Sequence, residues 1–416
     1  MKYLCWILWL AGSVFADRLL IPMDLSQTDH LKAYGIAYMS LAAGRQAEWL
    51  LNYRGGSFLL DDAPAFRKEA AKRGVLFEVV TEGEVDNIHA VIDAGNMEKI
   101  QLEKAPRIAV YTPLTKQPWD DAVTLAMTYA EIPYTKIYDQ EIIEGKLKNF
   151  DWLHLHHEDF TGQYSKFYSA FRNAPWYVNQ VSSSEKLAVT LGFRNNVMLK
   201  KTVVLAIRDY VEKGGFLFAM CLACNTLDMA LSSVKTDAAD ALFDGTPPSP
   251  NLQKELDYDL TLAFTGFTID VDPMSPSHGD IDYNQVNAGP LRRKAANDFV
   301  LFDFSPKYDP VPAMLVQNHT DYVKGFYGLT TSFPKRLIKK SITILGQADG
   351  QDAVRYLHGN LGQGQFTYYG GHDPEDYSHA VGDSPTDLSL HKNSPGYRLI
   401  LNNVLYPAAR QKKRKT

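Results

Sequence analysis

The chain contains 416 residues, of which 45% are hydrophobic and 22% are charged, so it can bury a large core and has room for two domains. Its net charge is −5 and its isoelectric point is near 6.1. Neither value favours a nucleic acid or an anionic membrane surface as a partner. We therefore expect a small polar molecule or a carbohydrate as the ligand.

Both ends of the chain predict segments outside the folded domains. Residues 1–16 combine Lys2, an apolar run and a small-residue ending at Ala16, which is typical of a secretory signal peptide. We expect cleavage near Ala16 and export to the periplasm or the extracellular space. No later stretch is apolar enough to predict a transmembrane segment in the mature chain. The basic tail, residues 411–416, predicts a solvated terminus.

Residues 17–103 predict a small N-terminal α/β domain. Short apolar runs bounded by turn residues indicate strands, and helical periodicity indicates helices between them. The strands are expected at 19–21, 49–53, 57–60 and 75–80, and the helices at 27–41, 63–73 and 85–94. The loops could bind a small polar ligand or could simply form tight turns. Their polar residues are Asp24, Asn52, Arg54 and Ser57.

Residues 104–410 predict a second, larger α/β domain that begins after a polar linker. Strands alternate with helices, which favours a doubly wound, mostly parallel sheet. The strands are expected at 107–112, 134–138, 152–156 and 216–220, and the helices at 120–129, 139–147 and 197–212. Residues 164–195 lack clear periodicity and predict a cap over the strand ends. An insertion is expected around 232–298, and further strands at 299–304, 313–317 and 342–346.

The segment 214–225 predicts a strand, a sharp turn and a helix, with Cys221 at the turn. A nucleophile elbow has this layout, and the helix N-terminus favours a thiolate. The alternative is a buried cysteine in a core strand. The mature chain has only Cys221 and Cys224, whose C-x-x-C spacing also permits a disulfide or redox exchange.

A cluster of histidines and carboxylates follows the third strand of the second domain. Alternation places His154 and His156 on one face, while His157, Glu158 and Asp159 end the strand. These residues could bind a metal ion such as zinc or iron, could orient a substrate without metal, or could form a hydrogen-bonded strand end. The sequence identifies no particular cofactor.

Two later segments carry further polar groups. The apolar residues 364–369 predict a strand, which is followed by His372, Asp373 and Glu375. Within the insertion, the acidic residues 270–282 could form a calcium site or a solvated acidic loop. Their spacing differs from that of an EF-hand, which favours the solvated loop.

The Cys221 turn and the late histidine together resemble the class I glutamine amidotransferase-like superfamily, a doubly wound α/β fold with a Cys-His-Glu triad. That family has Gly-x-Cys-x-Gly at the elbow, where this chain has Ala-Met-Cys-Leu-Ala at 219–223. Its late motif is His-x-Glu, whereas Glu375 stands one residue farther from His372. The segment 364–372 resembles the trehalose-utilisation-protein branch.

Several segments also resemble an exported bacterial family that is often labelled asparagine synthetase B. They are residues 20–24, 27–35, 52–57, 152–160 and 370–377. The chain lacks the Ser-Gly-Gly-x-Asp-Ser loop of ATP-dependent synthetases, so hydrolysis is expected rather than synthesis.

The leading hypothesis is an exported amide hydrolase of the amidase or glutaminase type. The resemblance implies Cys221 as nucleophile, His372 as base and Glu375 as the group that orients it. Substrate would be bound by the pocket residues His154, His156, His157, Glu158, Asp373 and Arg54. One alternative is a metal-dependent hydrolase using the 154–159 cluster with His372 or His379, and another is a non-catalytic sugar- or peptide-binding protein.

Overall fold

A computed structural model describes residues 17–282, 298–324, 332–348, 350–376 and 381–410. The predicted signal peptide, the basic tail and His379 lie outside these residues. Within the described ranges, no helix combines the length and the apolar character that a bilayer span requires. The strands form two sheets, and helices cover both.

The first sheet is antiparallel and contains five strands in the order β4-β1-β3-β2-β5. They are β1 (Arg18–Ile21), β2 (Ala47–Leu51), β3 (Ser57–Asp61), β4 (Glu78–Val80) and β5 (Glu98–Leu102). The accompanying helices are α1 (His30–Ala42), α2 (Pro64–Arg73) and α3 (Glu82–Ala94). Strand β5 occupies part of the segment that we predicted as a linker.

Alternation along the strands explains why helices cover both faces of the first sheet. Leu19 and Ile21 point into the large core that α1 shares, whereas Leu20 points to the opposite face. There it packs with residues of α3 such as Ile88 and Ile92. One sheet therefore separates two helical layers.

The second sheet is mixed and runs β11-β10-β13-β14-β15-β9-β8-β6-β7, with β12 paired to β14. Its strands are β6 (Ile108–Tyr111), β7 (Thr135–Ile137), β8 (Trp152–Leu155), β9 (Phe216–Met220), β10 (Phe299–Leu301), β11 (Tyr322–Val323), β12 (Phe333–Pro334), β13 (Thr343–Ala348), β14 (Ala353–Leu361) and β15 (Gly364–Tyr369). Strands β7, β6, β8, β9 and β15 are parallel to one another, and the remaining pairings are antiparallel. The α/β class is thus confirmed, but "mostly parallel" describes only half of this sheet.

Helices pack on both faces of the parallel half. They are α4 (Ala122–Ala130), α5 (Asp139–Ile143), α6 (Tyr168–Phe171), α7 (Pro175–Thr190), α8 (Asn196–Glu212) and α9 (Leu222–Ser232), with a closing helix at Pro395–Leu405. Further short helices occupy Ala241–Asp244, Leu252–Glu255 and Pro310–Leu315. Phe216 and Phe218 of β9 point toward α4 and the closing helix, while Leu217 and Ala219 point toward α8 and α9.

Three predicted elements differ from the structure. The segment 313–317 lies in the helix Pro310–Leu315 and the turn after it, because Pro310 starts a helical turn. The alternation within residues 257–272 suggests a hairpin, but in the structure they contribute only isolated bridges. The predicted cap, 164–195, contains α6 and α7.

The acidic part of the insertion is organised around a lysine. The ammonium of Lys166 donates to the backbone carbonyls of Asp270, Asp272 and Ser277, at 3.0 Å for Asp272 and 2.9 Å for Ser277. Lys166 is 1% exposed, so these carbonyls replace its water shell. A side-chain cation therefore occupies the place where we considered calcium.

Candidate functional site

Cys221 lies at the junction of β9 and α9, at the carboxyl edge of the parallel strands. Its φ of 51° and ψ of −134° place it in a strained region for a residue with a side chain. The side chain is completely buried. Strand, strained cysteine and helix follow one another as the sequence predicts for a nucleophile elbow.

The loop after β8 is bound to the start of α9. The Ala223 N–H donates to the His156 carbonyl at 3.0 Å. The Thr226 hydroxyl donates to the Glu158 carbonyl at 2.9 Å. Because these bonds come from the first turn of α9, they hold residues 156–158 directly beside Cys221.

The imidazole of His157 lies at hydrogen-bond distance from Cys221. The distance from Cys221 Sγ to His157 Nδ1 is 3.4 Å. The His157 ring also packs against Trp119, at 4.4 Å between ring centroids, and against Phe167, at 5.9 Å. We had predicted His157 as a substrate-binding residue or a metal ligand. Its role as a partner of the thiol depends on folding that brings β8 next to β9, which local sequence does not reveal.

His154 and His156 share one face of the strand, as alternation predicts. Both imidazoles contact the same carboxylate oxygen of Asp121, at 3.1 Å from His154 and 3.3 Å from His156. Asp121 also caps α4 by accepting from two backbone N–H groups. We missed Asp121 as a site residue, although an aspartate at the start of the predicted helix 120–129 was a usable signal.

A cavity of about 480 Å³ opens beside these histidines. His156, His157, Glu158, Trp119 and Asp121 are among the residues that line it. A larger cavity, of about 740 Å³, is lined by residues that precede the parallel strands, and so it lies at the opposite edge of the sheet. Ligands of parallel sheets bind beyond the carboxyl ends of the strands, so position favours the smaller cavity.

Glu158 is a buried acid in this cavity. Burial raises the pKa of Glu158 to about 8, and the nearby carboxylates of Asp139, Asp159 and Asp121 act in the same direction. The cation of Lys200 opposes the shift but does not cancel it. Glu158 is therefore largely protonated at neutral pH and can donate a hydrogen bond.

Asp159 has a structural role. Its carboxylate accepts from the Ser165 N–H at 2.7 Å and lies 3.0 Å from His278 Nε2. Burial would raise the pKa of Asp159, but His278 and hydrogen bonds from Thr161 outweigh it and hold the pKa at about 2. Asp159 thus fixes a turn in which Tyr164, Ser165 and Lys166 all have positive φ.

His372 and Asp373 come from the end of β15 and join the same cluster. The His372 ring centroid lies 4.4 Å from that of His156 and 5.5 Å from that of His157. Its Nδ1 is 3.1 Å from Asp373 Oδ2. The structure therefore brings together histidines that are far apart in sequence.

The other predicted site residues contact different partners. Glu375 lies 3.7 Å from His391 Nδ1. Arg54 forms ion pairs with Asp24 and Glu78 at 2.8 Å each, and it is not among the residues lining the 480 Å³ cavity. The Cys221–His372–Glu375 triad accordingly stays a prediction.

Cys221 and Cys224 are both buried, and no disulfide joins them. Cys224 Sγ donates to the Ala219 carbonyl at 3.3 Å. Burial raises the pKa of Cys224 well above its usual range. Cys224 is thus a core residue, and Cys221 is the cysteine that faces the histidines.

No family model matches the chain, and no curated protein does. Among solved structures, Cytoplasmic Protein STM3548 from Salmonella typhimurium is similar at 11% identity and a TM-score of 0.35, over 74% of this chain and 100% of that one. Cytoplasmic Protein STM1381 from Salmonella typhimurium LT2 is similar at 10% identity and a TM-score of 0.34, over 73% of this chain and 99% of that one. Gan42B, a GH42 beta-galactosidase from G. stearothermophilus, is similar at 10% identity and a TM-score of 0.27, over 65% of this chain and 28% of that one. Scores this low carry no conclusion about activity.

Proposed function

We propose that this protein is an exported, thiol-dependent hydrolase of the class I glutamine amidotransferase-like type, which cleaves an amide bond in a small polar substrate. The observation that carries the proposal is the 3.4 Å contact between Cys221 Sγ and His157 Nδ1 at the strained end of β9. A cysteine beside a base is the minimum arrangement for nucleophilic catalysis by a thiol. The thiol and the imidazole lie at the carboxyl ends of parallel strands that helices cover, which supports the same proposal.

The reaction is an acyl transfer in two steps. The Cys221 thiol gives its proton to His157 Nδ1 as the sulfur attacks the carbonyl carbon of the substrate. His157 passes that proton to the leaving amine, the C–N bond breaks and a thioester remains. Water then attacks the thioester, which releases the acid and restores the thiol.

Access to the sulfur requires movement. Cys221 is completely buried, whereas His157 lines the cavity, so the imidazole lies between substrate and sulfur. Entry of the substrate must therefore shift His157 and the rings of Trp119 and Phe167 that pack on it. The volume of about 480 Å³ is within the usual range of small-molecule sites, roughly 300–1,000 Å³.

Ammonia release from L-glutamine, L-asparagine and related primary amides tests the proposal. Cys221→Ala should abolish hydrolysis, and His157→Gln should lower it by about 10²-fold or more, because a general acid–base group contributes that much. Cys224→Ala is the matched control and should retain activity once its fold is confirmed by circular dichroism.

A comparison of two histidine variants then identifies the base. If His372→Gln loses activity and His157→Gln does not, the base is the histidine that the family resemblance implies. Alkylation of Cys221 by iodoacetamide, followed by mass spectrometry, provides a readout that needs no substrate. The thiol mechanism is excluded by two results together. Alkylation would be equally fast in the wild type and in His157→Gln, and Cys221→Ala would keep full activity on any amide that the wild type cleaves.

A further inference from the structure

A second set of potential ligands lies next to the Cys221–His157 pair. One ligand atom each from His156, His372 and Asp373 lies within 4.8 Å of the other two, and all three residues are buried. Two imidazoles and one carboxylate form the ligand set of many catalytic zinc sites and of non-haem iron sites. The set is assembled from the ends of two strands, β8 and β15.

The surroundings of the His156 ring are those of a metal-binding histidine. Its Nδ1 lies 3.3 Å from the Asp121 carboxylate. Its Nε2 is buried and has no hydrogen-bond partner among the residues that the structure describes, although His156 is only 3% exposed. Leaving such an atom unpaired is unfavourable, because it has lost its hydrogen bonds to water. Metal-binding histidines commonly hold a carboxylate on one ring nitrogen and the metal on the other.

The spacing of His372 and Asp373 also suits a shared ion. The distance from His372 Nδ1 to Asp373 Oδ2 is 3.1 Å. Two ligand atoms bound at about 2.0–2.1 Å to a tetrahedral zinc ion are about 3.3 Å apart. These two groups therefore already lie close to the separation that coordination imposes.

We infer that His156, His372 and Asp373 bind one divalent transition-metal ion of the zinc or iron class, with Asp121 orienting His156. Three protein ligands leave at least one position open for water or substrate. A competing set, Asp121 with His154 and His156, is less suitable because His154 Nδ1 already lies 3.1 Å from the Phe218 carbonyl and its Nε2 lies 3.1 Å from Asp121. The metal site does not depend on whether Cys221 reacts.

The test uses tag-free, full-length protein that has been treated with a chelator. Titration with Zn²⁺ by calorimetry should give one site per chain, and Zn²⁺ should raise the melting temperature. His156→Gln, His372→Gln and Asp373→Asn should each lose both effects. Asp121→Asn should weaken Zn²⁺ affinity about 10–100-fold without abolishing it, because it acts on the orientation of a ligand.

Three control variants make the outcome decisive. His154→Gln and His358→Gln should keep Zn²⁺ binding, since His154 belongs only to the competing set and His358 is an equally buried histidine on β14. Cys221→Ala should keep Zn²⁺ binding even where it abolishes amide hydrolysis, so the two proposals can fail separately. Failure of Zn²⁺ and of anaerobically added Fe²⁺ to bind or stabilise the wild type overturns the inference. So does retention of binding by folded His372→Gln and Asp373→Asn.

Discussion

Single residues at the elbow explain how alanines can stand where the amidotransferase family has glycines. Ala219 belongs to β9 and Ala223 to α9, and neither is among the residues with positive φ. The positive φ falls on Cys221 itself. Small side chains are needed on either side because both alanines are fully buried. The strain of the turn is therefore concentrated at the residue that we propose to react.

This concentration of strain predicts an unusual ranking of two variants. Cys221→Gly should be more stable than Cys221→Ala by up to about 2 kcal/mol, because glycine relieves a strain of about 1–3 kcal/mol. The opposing effect, the greater entropy of glycine in the unfolded chain, is only about 0.5–1 kcal/mol. Urea unfolding of the two variants measures the difference, and a more stable alanine variant would show that the conformation is not strained.

The roles of the site histidines could be anticipated only in part. Alternation along one strand was enough to place His154 and His156 together. The contact between Cys221 and His157 was harder to anticipate, because it depends on the pairing of β8 with β9. The family resemblance implies His372 as the base, and that assignment stays a prediction. Contacts of this kind arise from tertiary packing, which no local pattern encodes.

Among the secondary-structure elements, α5 and α8 are joined by a buried ion pair. Lys200 of α8 donates to the Asp139 carboxylate of α5 at 2.9 Å, and Tyr111 of β6 also donates to that carboxylate. Lys200 and Asp139 are buried. The Lys200 ammonium also lies over the rings of Tyr111 and Tyr138, at 5.1 and 4.8 Å from their centroids. The two partners act on the buried Glu158 in opposite directions, since Lys200 lowers the pKa of Glu158 and Asp139 raises it.

Removal of one partner from this pair should be strongly destabilising. We expect Lys200→Met to cost about 3–5 kcal/mol, because the Asp139 charge is then buried without compensation. The double variant Lys200→Met/Asp139→Asn should recover much of that loss. Denaturant unfolding of the single and double variants measures the coupling, and additive costs would contradict it. The exposed pair of Lys213 with Asp209 is the control, since Lys213→Met should cost less than about 1 kcal/mol.

Helices and strands could be predicted where the pattern of apolar residues in the sequence has the length or the period of that element. Strands β6, β8 and β9 are apolar runs bounded by turns, and α8 has an apolar stripe. Several strands of the other half were predicted, but their antiparallel direction was missed, because strand direction depends on distant partners, as in the pairing of β14 with β13 and β15. Helix α7 was missed because it buries few apolar residues, among them Tyr177, Leu187 and Ala188.

At the scale of the whole molecule, one buried arginine links the first sheet to the closing helix. Arg398 is completely buried and donates to the carbonyls of Met23 and Gly55. It also lies 3.3 Å from His319, whose ring stacks on His30 at 4.4 Å between centroids. The two sheets share one continuous core at this point.

This junction predicts acid sensitivity. Burial, with Arg398 acting in the same direction, lowers the pKa of His30 to about 4. In the unfolded chain the pKa of histidine is about 6.5. As the pH falls from about 6.5 to 4, the unfolded state therefore binds a proton that the native state does not. His30 alone should reduce the free energy of unfolding by up to about 1.4 kcal/mol per pH unit in that window.

Urea unfolding at several pH values between 4 and 7 measures this slope. His30→Gln should show a smaller loss of stability on acidification than the wild type. Identical slopes for wild type and His30→Gln would mean that His30 is protonated equally in both states.

The position of β15 in the second sheet determines when this protein can complete its fold. Strand β15 is the last strand among the residues that the structure describes, yet it pairs directly with β9, so that Gln365 meets Phe216 and Tyr369 meets Met220. During synthesis, the apolar edge of β9 therefore stays unpaired on one side until almost the whole chain has emerged. Such long-range pairing slows folding and leaves an open strand edge that promotes aggregation. A ribosome that stops before Gly364 releases a chain that lacks both β15, which joins the two halves of the second sheet, and His372, which follows it.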